Sequence, residues 1–102
     1  MIDKNKSQIE LSKSKELRIL KIQTVVFKAF TNTDNNVTID EVNTITDDLH
    51  NHFNKTKTEN IIQGIENGCF GKYGIPFKLT PIVFGNWINK HLEQKEIERK
   101  RY

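Results

Sequence analysis

Asn32, Asp34 and Asn36 fall at positions one, three and five of a calcium-loop pattern, with Ile39 at eight and Asp40 at nine. Such a loop needs glycine at position six for its sharp turn and a bidentate acid at twelve. The chain supplies Val37 and Asn43 there, so the segment reads as a polar turn and no calcium is assigned. Asp48 and His52, four apart, form the one helical pair of ligand type, whereas His50 and His52, two apart, point in different directions. Two ligands do not complete a zinc site, and the pair reads as solvated. His91 stands alone near the end of the last helix, where a cation suits the helix dipole. The single Cys69 cannot close an intrachain disulfide or build a Cys-based zinc site. It has no base nearby in sequence and reads as a small buried hydrophobe. Motifs for metalloproteases, serine hydrolases and phosphate-binding loops are missing from the sequence. The expectation is a non-enzymatic protein with neither cofactor nor metal.

A second kind of chemistry resides in Gly68–Leu92, GCFGKYGIPFKLTPIVFGNWINKHL. Lys72 and Lys78 flank an aromatic-rich loop, and the free amides after Thr80 open a helix. Cations, aromatic faces and a helix N-terminus together suit a phosphate or a single-stranded base stack. The competing reading, favoured on spacing, is structural: the same aromatics seal a small core under Trp87. Further basic residues, Lys95, Arg99, Lys100 and Arg101, crowd into seven positions at the carboxy terminus. They are candidate phosphate contacts, or else a solubilising tail paired helically with Glu93, Glu96 and Glu98.

The elements that must position these residues are helical. From Glu16 to Phe30 the apolar residues are too dense for a one-faced surface helix, which predicts a central element. Its subsets Ile19–Ile22–Val26–Phe30 and Leu17–Leu20–Phe27 both fit helical spacing, though the β-branched run Ile22–Phe27 leaves a strand open. After a polar loop, Thr38 and Glu41 form a capping box. Ile39, Val42, Ile45, Leu49 and Phe53 then lay one apolar stripe along a second helix. A third begins at Thr56 or Thr58, runs through Ile61, Ile62 and Ile65, and ends where Asn67 and Gly68 supply a left-handed cap. The segment 69–79 is punctuated by Gly71, Gly74 and Pro76 but too apolar for a free loop, so it should be pinned to the core. Thr80 as N-cap and Pro81 at the first helical position open the last helix. There Ile82 or Val83, Phe84, Trp87, Ile88 and Leu92 should face inward.

The predicted fold is therefore all-α, a compact bundle of about four helices with an ordered aromatic, Gly-rich loop before the last. Leu, Ile, Val and Phe fill 30 of 102 positions, above the roughly 20% below which chains tend to disorder. Residues 14–95 are read as one helical domain, 1–13 as a flexible basic segment and 96–102 as a charged tail that frays. Charge is segregated: +4 over residues 1–30, −5 over 31–70 and +4 over 71–102. Such poles fit a nucleic acid or an acidic protein as partner, or complementarity within the fold. Neither a membrane-spanning run nor the apolar region of a secretion signal is evident, so the chain reads as soluble and intracellular, with no membrane partner.

Gly71, Tyr73, Gly74, Phe77, Leu79, Trp87 and Ile88 match a pattern G-x-[YF]-G-x-x-[YF]-x-L…W-[IL]. In this the chain resembles small proteins of Bacteroidetes phages and mobile elements, some associated with replication initiation or helicase loading. The likeness spans residues 16–92 and is carried by the loop. It implies an all-α accessory or adaptor acting around phage or plasmid DNA, and brings no catalytic residues. DNA or a replication or phage protein is the partner so implied, and homo-oligomerisation stays open. The nucleic-acid contacts on this reading are Lys72, Lys78, Lys95, Arg99, Lys100 and Arg101. The alternative is a protein-interaction or virion-structural subunit without nucleic-acid contact.

Overall fold

The apolar run of the first thirty residues becomes one long helix. In the computed structural model, which describes residues 4–33, 35–76 and 78–100 with side chains from Lys13 onward, α1 spans Lys4–Asn32. It is followed by α2 (Ile39–His52), α3 (Thr58–Cys69) and α4 (Pro81–Lys100). No strand occurs among the described residues, and the all-α bundle of four helices is the fold. α1 packs on α2 and α3, and α4 packs chiefly on α3 and more lightly on α2.

Two helix starts follow local chemistry. The Thr38 hydroxyl accepts the Glu41 amide at 3.1 Å, so α2 begins on its capping residue. The Thr80 hydroxyl accepts the Val83 amide at 3.3 Å, and Pro81 takes the first helical position, where its missing N–H costs nothing. The α2 stripe buries Val42, Ile45 and Leu49, with Phe53 closing it. Ile39, expected on that stripe, is 73% exposed, because the helix begins there and its first side chain lies outside the core.

Three expectations are corrected. First, α3 does not end at Asn67–Gly68 but continues to Cys69. Its stop is Gly71, with φ +80°. The Gly71 amide donates to the Gly68 carbonyl at 3.0 Å and the Lys72 amide to the Asn67 carbonyl at 3.1 Å, the Schellman pattern. Gly68 is needed elsewhere: a Cβ there would stand 1.9 Å from Cδ2 of Trp87. Gly64, one turn earlier, is likewise closed by the Ile88 backbone, at 2.8 Å. The two glycines thus make a smooth strip on α3 where α4 crosses.

Second, α1 buries one face only. Ile22, Val25, Val26, Ala29 and Phe30 enter the core, while Leu17, Leu20 and Phe27 are each more than half exposed. Helical spacing was right for both subsets, but one bundle covers one side. Third, α1 is helical from Lys4, through the segment read as amino-terminal extension, and α4 remains helical through residues 96–100 of the presumed tail. Lys13–Leu17 and Glu93–Lys100 are all exposed, so α1 enters the bundle at Arg18 and α4 leaves it after Leu92. The radius of gyration, 15.5 Å, exceeds the about 13 Å usual for this length, as projecting helix ends require.

Arg18 fixes the entry of α1. Its guanidinium donates to the Phe53 carbonyl at 2.6 Å, the Thr56 carbonyl at 2.7 Å, the Thr58 hydroxyl at 3.2 Å and Nδ1 of His50 at 3.0 Å. One side chain thereby satisfies carbonyls at the α2 C-terminus and staples α1 to the α2–α3 turn.

Candidate nucleic-acid interface

The loop that carries Lys72 and Lys78, two of the six sequence-predicted contacts, is built where α3 hands over to α4. The Schellman stop turns the chain at Gly71, and a second reversal follows at Gly74, φ +96°, whose amide donates to the Gly71 carbonyl at 3.1 Å. Between them Tyr73 is held half-buried: its hydroxyl accepts from Nδ2 of Asn67 at 3.2 Å. Lys72 from the loop and Lys90 from α4 bring their ammonium groups to 6.0 and 5.8 Å from the Tyr73 ring centroid, the outer range of cation–π attraction. Two cations and an aromatic ring from separate elements thus share one spot. Beside it runs a groove lined by Tyr73, Ile75, Pro76, Val83 and Trp87.

The loop only partly seals the core. Leu79 is buried and Tyr73 packs against the core cluster, but Phe70 is 90% exposed and Ile75 is 93% exposed. This corrects the structural reading of the loop aromatics for Phe70. As the last residue before the left-handed Gly71, Phe70 is carried outward, because the α3 face that meets α4 is occupied by Gly64, Ile65 and Gly68. Trp87 itself is a core residue, packed edge-on against Phe84 at 5.5 Å. Phe77 and Arg101 lie outside the described residues, as does Asp34 of the calcium-like pattern.

His91 does not cap a helix end. It is 7% exposed, lies mid-helix in α4, and its Nε2 has no hydrogen-bond partner. Burial, then the charges of Lys95 and Lys72, hold its pKa below the usual histidine value, against a smaller opposing pull from Glu98. Arg99 follows Lys95 by one turn and shares its face, whereas Lys100 is turned away by one residue's rotation. Lys78 is exposed on the loop, and neither it nor Arg99 or Lys100 stacks on Tyr73. Of the predicted contacts, then, Lys72 is brought to the Tyr73 ring, while Lys95 lies one turn after His91 on α4. Lys90 joins Lys72 at that ring and belongs in the site. The signal that could have placed Phe70 there was the Phe-Gly dipeptide ending α3.

Elsewhere, Asp48 and His52 line an open groove of about 620 Å³ between α2 and α4 with Asn51, Asn86 and Asn89. Among the described residues no three His, Cys, Asp or Glu side chains gather closely enough to hold a metal. Cys69 is half-buried against the core, and burial, followed by Glu66, raises its thiol pKa, which keeps it in the weakly nucleophilic thiol form. No described helix is long and apolar enough to cross a membrane. Compared with known proteins, the chain matches no family model, no curated protein and no solved structure.

Proposed function

We propose that this chain is a non-enzymatic, nucleic-acid-associated accessory module, of the kind that serves replication in a phage or mobile element, and that it holds single-stranded nucleic acid on the α3–α4 loop. The observation that carries the reading is Phe70, an almost fully exposed aromatic that the core does not use, two residues from the Lys72–Tyr73–Lys90 group. Exposed rings interleaved with cations bind single strands because every base offers a π-face and every nucleotide a phosphate. Lys95 and Arg99 extend the positive track along the projecting end of α4, and Lys78 adds charge from the loop.

Fluorescence anisotropy with a labelled oligothymidine tests this. Stacking of one base is worth about 1–3 kcal/mol, so Phe70→Ala should weaken binding by about 5- to 150-fold without altering the melting temperature. Equal affinity for wild type and Phe70→Ala would sink the loop assignment. A second reading rests on Ile75 and Ile82, 93% and 74% exposed: the same end of the molecule then seats in an apolar pocket of a protein partner. Absence of binding to any single strand at low salt favours it.

A further inference from the structure

The outer face of α1 carries apolar residues for which the bundle has no use. Leu17, Leu20 and Phe27 are 52%, 56% and 53% exposed. With Thr24 between them they step by three, four and three residues, the alternation that keeps one seam of a helix against a partner helix. Scattered exposed apolar residues are ordinary on protein surfaces, but three in a helical register are a face. Two grooves border the ridge, one lined by Phe27, Ile39 and Val42, the other by Leu20, Val25 and Ile62. Ile39 adds a further exposed apolar side chain on the first of these rims.

From this ridge we infer that α1 is a homodimerisation element, packing in parallel against α1 of a second copy of this chain. The flanking charges choose both occupant and direction. In seam register, Leu17 and Thr24 are the first and Leu20 and Phe27 the fourth residues of successive heptads. Glu16 and Gln23 then immediately precede the first residues, and Lys21 and Lys28 immediately follow the fourth. In a parallel pair of helices these flanks meet five positions apart across the seam. Glu16 of one copy therefore faces Lys21 of the other, twice over by the two-fold symmetry, while Gln23 is held by Asn43 of its own chain at 2.6 Å. An antiparallel pair instead opposes the lysine flank to itself. The acid on one rim and the lysine on the other suit a copy of the same helix. Upstream the register puts Lys13 on the seam, which ends it there. The contact is therefore short and at the low end of interface sizes, so association belongs in the micromolar range, roughly 10–100 μM.

Sedimentation equilibrium of the full chain from about 1 to 300 μM reads this directly. The wild type should follow a monomer–dimer isotherm, and Leu20→Glu or Phe27→Glu should sediment as monomer across the range. Because both positions are exposed, those variants should melt like wild type in dilute solution, which separates lost association from lost folding. Lys21→Glu should weaken the dimer by roughly three- to tenfold, as expected for two exposed ion pairs, and Glu16→Lys in the same chain should restore it. A wild type that stays monomeric at 300 μM overturns the proposal. So does a dimer that Leu20→Glu leaves intact, or one that Lys21→Glu strengthens, the signature of opposed lysines.

Discussion

Gly68→Ala tests the packing that positions the loop. In an unhindered helix this change is stabilising, since alanine is favoured over glycine by about 1 kcal/mol. Here the new methyl would sit 1.9 Å from Cδ2 and 2.3 Å from Cε3 of Trp87, while carbon atoms pack at about 3.5–4.0 Å. The indole must retreat by about 1.5–2 Å. Being 4% exposed and set against Phe84, it can move only by giving up that packing. Expelling a buried tryptophan costs about 3–5 kcal/mol, from which the propensity gain of about 1 kcal/mol is subtracted. The net expectation is a loss of about 2–4 kcal/mol, or a fall in melting temperature of at least about 10 °C for a domain this size. Urea denaturation followed by far-UV circular dichroism measures it. Combining Gly68→Ala with Trp87→Leu should be markedly less harmful than the sum of the two, with a coupling of about 1–3 kcal/mol. Gly85, on α4 with nothing within 4 Å of a built Cβ, is the internal control: Gly85→Ala should stabilise by up to about 1 kcal/mol. If Gly68→Ala stabilises as Gly85→Ala does, Trp87 does not lie on Gly68 and the described α3–α4 crossing is wrong.

Arg18→Met should cost about 1–3 kcal/mol in the same urea assay, because it strands the Thr56 carbonyl and removes one of the two donors to the Phe53 carbonyl, which keeps the Thr56 amide. Arg18→Lys should recover only part, since one ammonium cannot span four acceptors on the α2–α3 turn. Stability should fall on mild acidification. His50, whose Nδ1 accepts from Arg18, has its pKa lowered by burial, then by Arg18 and Lys15 against Asp47, and His91 is lowered by burial, Lys95 and Lys72 against Glu98. The unfolded chain therefore binds more protons than the folded one below the unfolded histidine value of about 6.5. The contribution is whole above that pH and is lost progressively as pH drops toward the lowered folded values. Melting curves between pH 7.5 and 5 check this, and a double His50→Gln, His91→Gln variant with an undiminished slope would contradict it.

What was legible in the sequence was whatever is local. The Thr38 and Thr80 caps, Pro81 and the α2 stripe are decided within four residues of themselves, and the helices begin where those residues say. The end of α3 was misread for a nonlocal reason: Asn67–Gly68 looks like a stop, but Gly68 is spent on Trp87, nineteen positions away, and the next glycine ends the helix. Arg18 reads as one more solvated cation because its four acceptors lie 32 to 40 residues downstream. The apolar density of α1 announced a helix but could not say that only one side would be covered. At the site, the sequence supplied Lys72, while the exposure of Phe70 depends on how far α3 runs and so became visible only with the fold.

The central claim is that the α3–α4 surface binds single-stranded nucleic acid through phosphates and a stacked base, and the salt dependence of that binding tests it most directly. Affinity for a labelled oligothymidine, measured by anisotropy across about 25–200 mM salt, should fall log-linearly with a slope set by the number of phosphates neutralised, about −0.7 for each. Replacing Lys72 and Lys90 together by alanine should make the slope shallower by about 1.4, whereas Phe70→Ala should lower the affinity and leave the slope unchanged. A wild-type affinity indifferent to salt, or a slope that the lysine pair does not alter, would contradict the account.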